Sequence, residues 1–238
     1  MLIGGLQKFT ALDYPDKLAA TVFTVGCNFR CPFCHNPEIV EVDAAAGFQT
    51  IDEKEVLRFL ETRRGELDGV CITGGEPTLQ KDLSDFIRIV KEMGFLVKLD
   101  TNGANFKAVE NLVSENLVDY FAIDIKTAFD KYHRVFSPAG GADNTLRSLE
   151  LIALSGAALE LRTTVVPSVV DEKDFEDIIR VLRDKDILSR LFRYSVQAFR
   201  PQKCLDKNFE NFAPYDDEVL DEIAEKLRDY CPRVDIMK

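Results

Sequence analysis

Three cysteines lie close together near the amino terminus, in the segment Cys27-Asn-Phe-Arg-Cys31-Pro-Phe-Cys34. Because three and then two residues separate them, a compact loop over residues 26–36 can point all three thiolates at one centre. Thiolates are soft ligands that favour zinc and iron–sulfur clusters. Three cysteine ligands on a cubane cluster would leave one iron open, and an open iron can coordinate a substrate or a cofactor.

Zinc and a plain electron-transfer cluster are the alternatives, and both normally use four protein ligands. His35 could be the fourth ligand, but it directly follows Cys34, and adjacent side chains rarely chelate one ion well. The remaining cysteines are far apart in the sequence. Each of them is expected to be a small buried apolar residue, namely Cys71, Cys204 and Cys231.

A second candidate segment, Gly74-Gly75-Glu76-Pro77, directly follows the apolar run 69–73. Glycines let a backbone approach a ligand closely, and they adopt positive φ without strain. A carboxylate just beyond them can accept hydrogen bonds from an ammonium group. Taken alone, this turn could also be simple chain punctuation.

Two further polar segments, Asp100-Thr101-Asn102 and Asp124-Ile125-Lys126, end two other apolar runs. The first could be an Asx turn before the next helix. Asp124 and Lys126 share a face of a strand, so they could form a salt bridge or bind a ligand. Arg162 lies inside another apolar run, and a charged side chain in a buried strand is almost never unpaired. It is therefore a candidate ligand or network residue.

Short apolar runs alternate with amphipathic stretches along the chain, which predicts six βα units and a parallel sheet. Asp52, Asp143 and Asp171 are predicted N-caps of three helices. The pattern leaves open whether the sheet is open or curled into a barrel. The predicted strands lie near 19–25, 69–73, 95–99, 120–125, 159–166 and 192–198, and the predicted helices near 52–63, 80–93, 105–116, 143–155, 172–185 and 216–229.

The candidate residues all follow predicted strands. Parallel α/β folds place their ligands at the carboxyl ends of the strands. The cysteine loop and the three polar segments follow four different strands, so we expect them to converge on one face of the sheet. This convergence is stronger evidence for a site than any one motif.

Length and composition favour one globular domain over residues 1–238, with 46% hydrophobic and 30% charged residues. A net charge of −11 disfavours a nucleic-acid partner, which normally needs a basic face. The sequence contains no apolar run of about 18 residues and no signal-peptide pattern, so we expect no membrane association and a cytoplasmic location. In a reducing compartment, clustered cysteines are metal ligands or catalysts more often than disulfides.

The cysteine motif, with Phe33 at its aromatic position, resembles that of the radical S-adenosylmethionine (SAM) superfamily, Cys-x3-Cys-x-aromatic-Cys. The resemblance implies a 4Fe-4S cluster on Cys27, Cys31 and Cys34, whose open iron is chelated by the amino and carboxylate groups of SAM. One electron from the reduced cluster would then cleave SAM to methionine and a 5′-deoxyadenosyl radical. The implied fold is α/β, an incomplete (β/α)6 barrel that is open on one side.

The same resemblance implies roles for the other candidate residues. Phe33 would lie beside the adenine, Glu76 would contact the SAM amino group, and Lys126 would meet the SAM carboxylate or ribose. Arg200 lies near the position of a SAM-contacting histidine in the pyruvate formate-lyase activating enzyme. The predicted cofactor-binding set is Phe33, Gly74, Gly75, Glu76, Asp100, Thr101, Asn102, Lys126, Arg162 and Arg200.

Two segments are also similar to the cation site of the pyruvate formate-lyase activating enzyme, where the matching residues hold a monovalent cation beside SAM. Asp100, Thr101 and Asp124 match that pattern, which implies bound Na⁺ or K⁺. Two clustered carboxylates raise each other's pKa unless a cation or a lysine offsets them, so such a cation is physically reasonable.

The lead-in Asp13-Tyr14-Pro15-Asp16-Lys17 and the segment Cys34-His35-Asn36-Pro37 look most like activating proteins of anaerobic ribonucleoside-triphosphate reductases. The resemblance implies an enzyme that takes a hydrogen atom from a backbone glycine of a glycyl radical enzyme. A flavodoxin or ferredoxin would supply the electron. The alternative is a radical SAM enzyme acting on a small molecule or another macromolecule. The C-terminal segment 199–238 is expected to cover the barrel.

Overall fold

A computed structural model describes residues 1–40, 49–135 and 140–238, and its strands form one eight-stranded sheet in chain order. The strands are β1 (Ile3–Thr10), β2 (Ala19–Thr24), β3 (Gly69–Gly74), β4 (Leu96–Thr101), β5 (Tyr120–Asp124), β6 (Ala158–Val165), β7 (Arg193–Ala198) and β8 (Val234–Met237). The helices are α1 (Pro37–Val40), α2 (Glu53–Glu61), α3 (Leu83–Glu92), α4 (Phe106–Ser114), α5 (Gly141–Ala153), α6 (Glu172–Asp184) and α7 (Asp217–Arg228).

The six predicted strands correspond to β2–β7, and neighbouring strands from β2 to β8 pair in parallel. β1 adds to β2 in the antiparallel direction. The sheet is not closed over the described residues, since β1 and β8 form its two edges. The predicted fold class, an α/β fold with an incomplete barrel, is confirmed.

The edge strands β1 and β8 were not predicted. In β1, only the terminal residues Ile3 and Thr10 are buried, and the centre of the strand is partly or fully exposed. β8 has only four residues, and none of them is buried. Edge strands bury less of their surface than central ones, so they lack the continuous apolar run by which a central strand is found in the sequence.

The helix starts confirm two of the three predicted N-caps. The side chain of Asp52 accepts a hydrogen bond from the backbone of Lys54, and Asp171 forms a capping box before α6. The prediction for Asp143 was wrong. Gly140, with φ of 85°, is the N-cap of α5, so Asp143 already lies in the first turn. Only a residue that tolerates the left-handed conformation fits at that start.

The two faces of the sheet differ in chemistry. The helices bury apolar residues such as Phe86 and Phe175 against one face. The opposite, inner face carries buried polar residues, including Lys98, Glu160 and Ser195. A sheet that curls around polar side chains has an interior suited to ligands. No helix in the described parts of the chain is both long and apolar enough to cross a membrane.

Candidate active site

A cavity of about 260 Å³, the upper cavity, lies at the carboxyl ends of the strands. Every predicted site residue except Arg200 lines it, so the predicted convergence of four strand ends is confirmed. The predicted residues in its wall are Cys27, Cys31, Phe33, Cys34, Gly74, Gly75, Glu76, Asp100, Thr101, Asn102, Asp124, Lys126 and Arg162.

The cysteine loop, residues 26–36, is held by backbone hydrogen bonds to segments that are distant in sequence. On one side, the amide of Arg30 donates to the carbonyl of Val135 at 3.1 Å. On the other side, the amide of Leu205 donates to the carbonyl of Cys34 at 3.1 Å. The C-terminal segment therefore braces the loop that carries the three thiols.

Burial raises the pKa of Cys27 to about 11 and that of Cys31 to about 12. Both thiols are therefore protonated at neutral pH unless a metal stabilises their thiolates. The described residues contain no group of three or more His, Cys, Asp or Glu side chains placed to share a single metal ion. Three soft donors around one cavity do fit an iron–sulfur cluster, which spreads its ligands over separate iron atoms.

The glycines of the Gly-Gly-Glu turn allow the turn to touch the start of the cysteine loop. A Cβ atom on Gly75 would lie 2.1 Å from the carbonyl oxygen of Gly26, and one on Gly74 would lie 2.3 Å from that of Thr24. The amide of Glu76 also donates to the carbonyl of Gly26 at 2.8 Å. Here, the close approach that requires glycine is between two chain segments.

Glu76 is a carboxylate with only 1% of its surface exposed, and it points into the upper cavity. Its Oε1 accepts from the hydroxyls of Thr78 at 2.5 Å and Thr101 at 2.6 Å, and its Oε2 accepts from the amide of Asn102 at 2.8 Å. Among the described residues it has no basic partner, and burial raises its pKa. A buried carboxylate with this environment suits a ligand that brings its own positive charge.

The segment does contain an Asx turn, because Oδ1 of Asn102 accepts from the amide of Ala104 at 3.0 Å, but the N-cap of the following helix is Asn105. The Asn102 side chain also donates from Nδ2 to Oδ1 of Asn28 at 2.8 Å. Asn28 lies within the cysteine loop. Asn102 therefore joins the end of β4 to that loop. One side chain both forms the turn and lines the site.

Arg162 bridges two carboxylates on neighbouring strands. Its Nη1 lies 3.0 Å from Oδ2 of Asp100, and its Nε lies 2.9 Å from Oδ1 of Asp124. Asp124 and Arg162 are direct partners in the β5–β6 ladder, so the register of the sheet sets this contact. Nζ of Lys126 lies 3.1 Å from Oδ2 of Asp124, so the salt bridge that was one of the two alternatives for this pair is present.

These ion pairs keep both aspartates charged. Burial opposes ionisation of Asp100 and Asp124, but Arg162 and the neighbouring lysines outweigh it and lower the pKa of each carboxyl. Asp124 in turn raises the pKa of Lys126, although burial acts in the opposite direction. The two aspartates therefore stay negatively charged at neutral pH, and Arg162 and Lys126 beside them stay positively charged.

A second cavity of about 260 Å³, the lower cavity, lies deeper in the sheet, and none of the sequence motifs predicts it. Its wall includes Lys98, Glu160, Arg193 and Cys71. The detectable signal was a charged residue inside the apolar runs 95–99 and 159–166, the same signal that identified Arg162. Upper and lower cavities share Asp100 and Arg162, and with them Thr73 and Gln197.

The structure does not bring Arg200 into either cavity. β7 ends at Ala198, Phe199 is buried, and Arg200 is exposed to solvent. The Arg200 guanidinium instead donates to the carbonyl of Lys238. Gln197, one residue before the end of β7, is the side chain of this strand that lines both cavities.

Comparisons with known proteins place the chain in a family. The model of the radical SAM superfamily matches residues 21–184. A protein of Methanocaldococcus jannaschii assigned as a glycyl-radical enzyme activating enzyme is 34% identical over 98% of this chain and 94% of its own. The pyruvate formate-lyase-activating enzyme of Clostridium pasteurianum is 26% identical over 96% of this chain and 99% of its own. The protein therefore belongs to the radical SAM superfamily.

Solved structures agree on the fold. QueE from Escherichia coli matches 100% of this chain and 93% of its own, with a TM-score of 0.61 and 15% identity. Streptococcus suis SuiB bound to S-adenosylmethionine matches 90% of this chain and 48% of its own, with a TM-score of 0.66 and 18% identity. At these identities the comparison concerns the fold alone.

Proposed function

We propose that the protein activates a glycyl radical enzyme by radical SAM chemistry. The observation that carries this proposal is the 34% identity to the Methanocaldococcus jannaschii protein over nearly the full length of both chains. The match includes the C-terminal part of the chain, beyond the residues that define the superfamily. Since the superfamily shares its SAM-binding part among many reactions, a match over the whole chain is the more specific evidence.

In this proposal, Cys27, Cys31 and Cys34 hold a 4Fe-4S cluster. Held by these three thiolates, the cluster would supply the one electron that cleaves the C5′–S bond of SAM, and the products would be methionine and a 5′-deoxyadenosyl radical able to take a hydrogen atom from the target glycine. The electron comes from a reduced flavodoxin or ferredoxin. Six free cysteines suit a reducing compartment, so we propose a cytoplasmic location.

The upper cavity offers SAM complementary partners. Oε2 of Glu76 accepts only one of the hydrogen bonds described above, so an acceptor position remains for the SAM ammonium group. Lys126 supplies positive charge for the SAM carboxylate, and its Nζ is held at 3.1 Å by Asp124. The buried ring of Phe33 offers an apolar surface for the adenine.

The wall of the upper cavity would also exclude water from the reaction. Phe29, Phe33 and Ile39 line it and are nearly fully buried. A radical that met solvent or a loose side chain would be lost, so a dry and rigid wall protects the hydrogen transfer. The chain itself needs no acid–base pair for this chemistry.

The test is anaerobic reconstitution of the cluster, followed by reduction and addition of SAM and a candidate glycyl radical enzyme. We expect a glycyl radical by electron paramagnetic resonance, together with 5′-deoxyadenosine in equal amount. The matched control is the same partner with its target glycine replaced by alanine, which should give no glycyl radical. If SAM is cleaved but no candidate partner acquires a radical, the activase proposal fails and a small-molecule or other macromolecular substrate replaces it.

A further inference from the structure

The two aspartates of the upper cavity are already surrounded by fixed positive charge. Lys98 forms an ion pair with Oδ1 of Asp100, and Arg162 contacts its Oδ2 at 3.0 Å. Arg162 and Lys126 contact the two oxygens of Asp124 at 2.9 Å and 3.1 Å. Three basic side chains therefore face two carboxylates, and each of the four carboxylate oxygens has a nitrogen donor.

The third residue that matches the cation pattern is Thr101, and its hydroxyl also has hydrogen-bond partners within the protein. Its hydroxyl donates to Oε1 of Glu76 at 2.6 Å and accepts from the amide of Gly103 at 3.1 Å. A monovalent cation bound by Asp100, Thr101 and Asp124 would lie beside the positive charges of Lys98, Arg162 and Lys126, which already balance the two carboxylates and would repel it. The residues present therefore do not fit the predicted Na⁺ or K⁺.

Lys98 is the side chain that makes this arrangement unusual. It lies two residues before Asp100 on β4, so both side chains point to the inner face of the sheet. Its side chain is 2% exposed, and its Nζ also lies 5.7 Å from the centre of the Tyr120 ring. A buried ammonium is costly unless it is paired, and Asp100 is its carboxylate partner.

We propose that Lys98, together with Arg162, supplies the positive charge that a monovalent cation would otherwise supply at Asp100 and Asp124, so that SAM binding needs neither Na⁺ nor K⁺. This inference rests on the proposed SAM site in the upper cavity. Lys98 is a positioning residue in this proposal, because it acts through Asp100 and lies below the cavity that would hold SAM.

The experiment measures the SAM dissociation constant of the cluster-loaded protein in K⁺, in Na⁺ and in choline as the sole counter-cation, at constant ionic strength. For the wild type we expect the three values to agree within about twofold. Lys98→Met should bind SAM about tenfold more weakly in choline and regain affinity in K⁺, which is an ordinary size for coupling between two ligands. Lys98→Arg keeps the charge and should stay independent of the cation.

Rescue by K⁺ separates this role from a purely structural one, because a folding defect would not respond to one small cation. A wild-type affinity that rises tenfold in K⁺ would overturn the proposal. A Lys98→Met variant with unchanged SAM affinity in all three salts would overturn it too.

A second measurement covers the case in which Lys98→Met does not fold. Thallium(I), a K⁺ substitute with its own nuclear resonance signal, is titrated into the cluster-loaded wild type without SAM, and we expect no bound species. Bound thallium that K⁺ displaces would contradict the proposal. Failure of the wild type to bind SAM in every salt would refute the proposed function, while the thallium result would still decide the charge assignment.

Discussion

The protein contains two glutamates that are equally buried but differ in what surrounds them. Glu76 in the upper cavity and Glu160 in the lower cavity are each 1% exposed. Glu160 accepts from the hydroxyls of Tyr120 at 2.7 Å and Ser195 at 2.8 Å, and it pairs with Arg193 at 2.9 Å. Glu76 has only neutral donors within the described residues. One charge is therefore neutralised by the protein and the other is not.

This difference distinguishes a structural charge from a ligand site. A buried carboxylate without a counter-ion destabilises the protein, so it persists where a ligand completes it. The same contrast applies to the cysteines. Cys27, Cys31 and Cys34 surround an open cavity, whereas Cys71 lies in the lower cavity with its sulfur 3.8 Å from Nζ of Lys98. We therefore expect the upper cavity to contact the ligands directly, and the lower one to stabilise the fold and, through Lys98, to position Asp100.

The largest expected effect separates the two sets of cysteines. Replacement of Cys27, Cys31 or Cys34 by alanine should abolish cluster assembly, because two thiolates do not hold a cubane cluster. Cys71→Ala is the matched control and should retain full iron and sulfide content, as should Cys204→Ala and Cys231→Ala. Iron analysis after anaerobic reconstitution measures the effect. Full iron content in any of the first three variants would contradict the ligand assignment.

The next effect concerns the unpaired glutamate. Glu76→Gln removes the charge and keeps the shape, so the cluster should assemble while SAM affinity falls about 10- to 100-fold, the value of one charge-assisted hydrogen bond. Titration of SAM into the cluster-loaded protein measures it. The control is the cluster content of the same variant. SAM binding at the wild-type level would show that Glu76 serves only the turn.

The sequence could predict the upper cavity because its residues follow strands that are visible as apolar runs. The ends of those strands are fixed by the fold, so Cys27, Glu76, Asp100 and Asp124 had to meet. It could not predict contacts that depend on register or on the path of a loop. The Arg162 bridge follows from the pairing of β5 with β6.

Arg200 illustrates the limit for loops. Its sequence position, two residues beyond the end of β7, is compatible with the cavity, but the path of the chain after β7 leaves it exposed and hydrogen-bonded to the carbonyl of Lys238. The start of α5 was equally hard to predict. The left-handed conformation of Gly140 fixes where this helix begins, and no sequence pattern indicated that conformation. Periodicity locates elements, whereas single backbone torsions locate their boundaries.

A smaller effect tests the paired glutamate. Glu160→Gln should lower the free energy of unfolding by about 3 kcal/mol, because it breaks a buried ion pair. Arg193 keeps a second partner, Asp235 at 3.3 Å, which places the cost at the lower end of the usual range. SAM affinity should change less than twofold, since Glu160 lies outside the upper cavity and, unlike Lys98, is not hydrogen-bonded to Asp100 or Asp124. Denaturant unfolding of the cofactor-free protein measures the first quantity, and a large loss of SAM affinity would contradict the division between the cavities.

The smallest expected effect concerns His35. It lines the upper cavity, but, like Glu160, it already has a hydrogen-bond partner within the protein. Its Nδ1 lies 3.2 Å from the carbonyl oxygen of Gln202, and its ring stacks on Phe199 at 6.1 Å between centres. We therefore expect His35→Ala to keep its iron content and SAM affinity. Because only the brace on the cysteine loop is weakened, by about 1 kcal/mol, loss of the cluster to a chelator should become about fivefold faster.

The matched control for His35 is His133→Ala, since His133 is the other histidine of the chain and is exposed. Its cluster should be lost at the wild-type rate. If reconstituted His35→Ala instead lacked iron, His35 would be a metal ligand, and a satisfied hydrogen bond would no longer distinguish structural groups from ligands. The different roles assigned to Glu76 and Glu160 would then rest only on the SAM affinities measured for their variants.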